Sequence, residues 1–170
     1  MNIDHGIEPL LLALAVRASR YGYAVFNGPT RLLDWGAGEI VSHDSGNAVG
    51  MRRVAFLFRH FPPSAVALTW SVDRKAPHHA RALTFANFVH EQAALQQVPV
   101  IAVKSDAINY AFKDLRAHTK YDIAEALTRI FTELAWKLPP RRKSWHNEHH
   151  MMIVFDAVAI GFAYWKGNAC

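Results

Sequence analysis

A chain of 170 residues that is 51% apolar and 19% charged can bury a core and is not wholly disordered. Its 19 Lys and Arg against 14 Asp and Glu leave a formal charge of +5, a surplus compatible with nucleic acid or another polyanion. The only cysteine, Cys170, excludes an intrachain disulfide and a cysteine-based zinc site.

The apolar run Pro9–Val16 is too short to cross a bilayer. Asp4 and Glu8 precede it and Arg17 follows, unlike a secretory signal. A single cytoplasmic domain over residues 1–170, with no membrane partner, is expected. Leu10–Val16 reads as a central strand buried on both faces. Tyr21–Phe26 is its hairpin partner, and Asn27-Gly28-Pro29 supplies a turn. Arg31–Ile40 fits a third strand, where Gly36 and Gly38 suggest a bulge or a close approach. Ser42–Asn47 reads as a loop. Ala48–Phe61 has a helical rhythm that ends at Pro62-Pro63, and its Phe56, Phe58 and Phe61 would cover a sheet or feed an interface. Ser64–Trp70 is a fourth strand, Ala80–Gln97 a long helix and Pro99–Val103 a fifth strand. Thr119–Lys137 and His150–Tyr164 complete the chain as helices. Alternating strands and helices imply a mixed sheet with covered faces, an α/β fold.

Several segments carry a family resemblance in order. Leu10–Phe26 is similar to the opening hairpin of RuvC-type Holliday-junction resolvases and related RNase H-like nucleases. Val103-Lys104, then Lys113, then Thr119-Lys120-Tyr121-Asp122 resembles that family's Val-Lys segment, basic loop and helix-opening lysine. Trp145–Ala163, which contains Asp156-Ala-Val-Ala, resembles its terminal acid-bearing helix. The resemblance runs from about Leu10 to Trp165. It implies an RNase H-like five-stranded mixed sheet flanked by helices.

The same resemblance implies carboxylates converging on two metal ions, magnesium or manganese. Two metals roughly 4 Å apart activate water and stabilise the leaving oxygen. Asp156 falls on the helix acid and Glu148 near a second, so these two are the candidate catalytic and metal residues. Arg17 stands where the first-strand acid belongs, and a guanidinium cannot ligate a cation. Thr69 or Trp70 stands where the fourth strand should end in glutamate; Asp73 lies about 10 Å or more beyond along an extended chain. With two acids missing, no cofactor is expected, and magnesium or manganese only if residual nuclease activity survives. Asp156 then has an ordinary reading as the partner of Arg17, in a bidentate pair.

The histidines offer a different metal reading. His146, His149 and His150 lie near Glu148, and His78-His79 form a second pair; on a helix His146 with His149 or His150 would have ligand-like spacing. The alternative is a polar, exposed helix start. More informative is Leu134–Asn147, in which Lys137, Arg141, Arg142 and Lys143 occur with no acid, flanked by Trp136 and Trp145. Cations there suit phosphates, and an exposed indole suits a base or sugar. Trp136 reads as core. Arg141, Arg142, Lys143 and Trp145, with Lys104, Lys113 and Lys120, are the candidate nucleic-acid contacts.

Three function classes follow. The leading one is a catalytically degenerate RuvC-like domain that binds structured DNA or another nucleic acid, or serves within a nucleic-acid complex. The second is an active metal-dependent, structure-specific endonuclease of the crossover-junction type with non-standard ligands. The third is a protein-interaction scaffold. The resemblance also implies a homodimer, since a four-way junction presents two symmetric strands.

Overall fold

The computed structural model describes residues 8–41, 44–70, 75 and 79–168. Strands β1 (Leu10–Val16), β2 (Arg20–Asn27), β3 (Leu32–Glu39), β4 (Ala65–Trp70) and β5 (Val100–Ala102) form one sheet in the order β3-β2-β1-β4-β5. β2 is antiparallel to both β1 and β3, whereas β4 runs parallel to β1 and to β5. The helices are α1 (Asp44–His60), α2 (His79–Leu95), α3 (Ser105–Ala111), α4 (Lys120–Ile130) and α5 (Met152–Asn168). None of the described helices is long and apolar enough to cross a membrane.

β1 is apolar at every position because both its faces are covered. Leu11, Ala13 and Ala15 enter a core shared with α4 and α5, while Leu12, Leu14 and Val16 enter a second core shared with α1 and α2. Alternate side chains of a strand point to opposite faces, so a buried central strand must be apolar throughout. Phe58 is fully buried against the sheet, whereas Phe56 stays partly exposed and stacks on His60 at 5.1 Å.

α5 lies unusually close to β2. A Cβ on Gly22 would sit 2.1 Å from the carbonyl oxygen of Ile153, so only glycine admits this approach. Gly36 and Gly38 likewise mark a close approach: each faces the ring of its cross-strand partner, Tyr23 and Tyr21 respectively. The bulge in this pair lies elsewhere, between Val25 and Phe26, where Leu33 has no partner.

Four expectations change. The loop expected over Ser42–Asn47 is helical from Asp44, since Asp and Ser suit a helix start as well as a loop. The helix expected over Thr119–Lys137 is broken after Ile130. Phe131 leaves helical geometry, packs edge-on against Phe26 at 5.8 Å, and is followed by a 3-10 turn, Thr132–Lys137. The last helix starts at Met152 rather than His150 and extends to Asn168. Finally, α3 and a 3-10 turn at Lys113–Leu115 occupy a stretch that the sequence left without elements. His78 and Asp73 fall outside the described residues.

Candidate functional site

Four elements deliver charged side chains to one end of the central strand. β1 ends at Val16, and the Arg17 amide donates to the Arg20 carbonyl at 2.9 Å across the hairpin turn. Arg17 therefore projects from a backbone position fixed by β2. On the other side, Ala15 of β1 pairs in parallel register with Thr69 of β4. α5 presents Asp156 one turn beyond Ile153, the residue that touches Gly22. Lys120 opens α4, whose start is set by a capping box. The Thr119 hydroxyl accepts from the Asp122 amide at 3.1 Å, and the Asp122 carboxylate accepts from the Thr119 amide at 3.0 Å. Glu148 comes from the loop before α5.

These residues form a quartet of two cations and two anions. One terminal nitrogen of Arg17 hydrogen-bonds Asp156 and the other lies 3.5 Å from Glu148. Lys120 Nζ is 3.2 Å from Glu148 Oε1 and 3.6 Å from Asp156 Oδ2. Arg17 is thus forked across two carboxylates rather than bidentate on Asp156, because Glu148 lies within reach of its second nitrogen. Asp156 is the most sheltered member, with 19% of its side chain exposed against 39% for Arg17. Above the quartet is a cleft of about 300 Å³ walled by Arg17, Thr69, Lys120 and Asp156 together with Ser105, Ile108 and Asn109 of α3.

The donor set does not suit a two-metal centre among the described residues. Magnesium needs several free oxygen ligands in near-octahedral geometry. Here both carboxylates already face two cations each, and the Thr69 hydroxyl donates to the Val103 carbonyl, just past the end of β5. A divalent ion would also meet two fixed positive charges.

The histidines do not converge. His149 and His150 precede α5, so helical ligand spacing does not apply to them; their rings stack at 4.4 Å, and His149 Nδ1 accepts from the Met151 amide. No three His, Cys, Asp or Glu among the described residues are grouped to hold a metal.

Beside the cleft lies a second cavity of about 340 Å³, lined in part by Lys120, Tyr121, Arg141, Arg142 and Glu148. Lys120 belongs to both. Arg141 stacks over Tyr121 at 4.5 Å and pairs with Asp122 at 3.3 Å. The Asp122 carboxyl is held below its ordinary range by hydrogen bonds from Thr119, side chain then backbone, with His118 and Arg141 adding to them. Arg142 donates to the His146 carbonyl at 2.6 Å. So the run Arg141–Lys143, acid-free in sequence, meets an acid from α4 in space. Lys143 and Trp145 lie in the exposed turn that follows, whereas Lys104 and Lys113 are exposed but line neither cavity. Trp136, expected in the core, is exposed because the helix ends early and Leu134 takes the buried place.

No protein-family model matches the chain, and no curated protein matches it in sequence. Solved structures do match in three dimensions. RuvC of Thermus thermophilus in complex with Holliday junction substrate superposes with a TM-score of 0.70 at 18% identity, covering 95% of this chain and 96% of that one. The fold is that of the RuvC resolvases. A second Thermus thermophilus RuvC structure gives 0.69 at 17% identity over 94% and 96% of the two chains. The yeast mitochondrial Holliday junction resolvase Ydc2 gives 0.60 at 11% identity, over 96% of this chain and 82% of its own. The five-stranded mixed sheet flanked by helices is the RNase H-like sheet of RuvC.

Proposed function

We propose that this RuvC-fold protein binds nucleic acid without cleaving it. The observation that carries the reading is the position of Arg17, whose guanidinium lies between Asp156 and Glu148 where a nuclease of this fold would hold metal. A tethered cation neutralises the carboxylates and repels the divalent ion that would activate water there. Binding is supported by the net positive charge, by the second cavity with Lys120, Arg141 and Arg142, and by the fold shared with a RuvC captured on a Holliday junction. Asp156 and Glu148 are then structural acids, and the basic residues near the cleft face phosphates.

One experiment tests both halves. Labelled four-way junction, duplex and single-stranded DNA are incubated with the protein and magnesium or manganese, and followed for cleavage and for binding. Binding without cleavage is expected. Metal-dependent nicking that disappears in Asp156→Ala would restore the nuclease reading. Absence of binding to every probe would leave the scaffold reading.

A further inference from the structure

We infer that the segment from Leu134 to His146 is a stacking platform for unpaired nucleotides, in which Trp136 and Trp145 take bases while Lys137 and Lys143 take the neighbouring phosphates. This rests on the nucleic-acid reading above and names its ligand class.

The two indoles are 75% and 74% exposed, on a segment anchored by the buried Leu134 and Pro139. Leu134 is fully buried and Pro139 is buried, pinning the chain on both sides of Trp136. The turn that carries Trp145 is closed by the His146 amide donating to the Lys143 carbonyl at 3.0 Å and by Arg142 donating to the His146 carbonyl. Exposure of Trp136 is therefore set by buried residues on either side of it, and that of Trp145 by a hydrogen-bonded turn.

Each indole already carries a cation. Lys137 Nζ lies 4.4 Å from the centroid of Trp136, and Lys143 Nζ lies 5.4 Å from that of Trp145. An ammonium over one face leaves the other face open, and it places a positive charge within one side-chain length of whatever stacks there. A nucleotide offers both complements at once, a flat π-face and an adjacent phosphate. Tyr121 with Arg141 over its ring repeats the pairing inside the second cavity. An apolar protein partner would match the rings but not the paired cations. A base in a duplex is already stacked on its neighbours, so an indole gains it only by unstacking the helix. The platform therefore favours strands whose bases are unpaired.

The test uses the full chain with fluorescently labelled oligothymidylate and a duplex of equal length. Oligothymidylate is expected to bind roughly tenfold or more tightly than the duplex. Trp136→Ala and Trp145→Ala should each weaken oligothymidylate binding by roughly ten- to a hundredfold. Trp→Phe at the same positions should retain most of it, and duplex affinity should change little. Alanine variants that bind oligothymidylate like the parent, or that lose both probes equally, would overturn the platform. Retained duplex binding in that case leaves the phosphate-binding reading intact. A parent protein that binds neither probe overturns the platform, and overturns the nucleic-acid reading as well when the four-way junction is not bound either.

Discussion

Arg17 divides its two terminal nitrogens between Asp156 on α5 and Glu148 in the loop before it, and Lys120 bridges the same two acids. Strand, helix and loop are thereby joined through one shared set of charges. Such a network is worth more than isolated surface pairs, although part exposure of Arg17 screens it.

A double-mutant cycle of Arg17→Ala and Asp156→Ala should reveal a coupling of about 0.5–1.5 kcal/mol by urea denaturation. The value stays modest because Lys120 continues to face Asp156 when Arg17 is removed. Additivity within about 0.3 kcal/mol would mean that the two groups do not interact in solution.

Reversing the charge pattern should create a metal site. Arg17→Asp with Thr69→Glu supplies two carboxylates beside Asp156, and isothermal calorimetry should then detect manganese binding absent from the parent. Thr69→Glu also removes the hydroxyl bond to Val103, so a melt must accompany the titration. A folded double variant with no metal affinity would show that these strand ends do not converge as described.

Gly22→Ala should destabilise the protein by at least about 1–3 kcal/mol, because the added methyl meets backbone rather than a movable side chain. α5 must move away from β2, taking Asp156 with it. The Arg17–Asp156 coupling measured in this background should shrink. An unchanged melting temperature would argue against the close contact.

Asp122 should make stability pH-dependent in acid. Its folded pKa lies below the ordinary value of 3.8, so its contribution is complete above that value and is lost as pH falls through the lower folded one. The melting temperature of the parent should exceed that of Asp122→Asn near neutral pH, and the gap should close in strong acid. A gap that is constant across pH would assign the effect to something other than the charge. The same variant frees Arg141, so its DNA affinity should fall more steeply with salt, by about 0.7–0.9 in the log–log slope for one added phosphate contact.

Much of the fold was legible because β1 and α5 are written in nearly unbroken apolar residues, a pattern only a doubly covered strand or a buried helix produces. Arg17 opposite Asp156 was legible through the family resemblance, which placed both at the same end of the sheet. The role of Glu148 was harder to see, since a loop residue's reach depends on how the chain returns. α3 went unseen although Ala107, Ile108, Ala111 and Phe112 follow a helical spacing; the segment is too short for that signal to stand out. With it went Ser105, Ile108 and Asn109, which wall the cleft. Trp136 was misplaced for a different reason. The apolar rhythm continues past Ile130, but Phe131 turns the backbone and shifts every later side chain to a new face.

The positive charges between Asp156 and Glu148 are attached to the chain itself, on Arg17 and Lys120. A bound metal ion has a dissociation constant, and its occupancy follows the surrounding concentration. A side chain held by its own backbone has only an effective concentration, set by geometry. Dilution cannot empty this position, a chelator cannot strip it, and no other ion needs to be kept out of it. What a bound ion supplies only at sufficient concentration, these two side chains supply as soon as the chain folds.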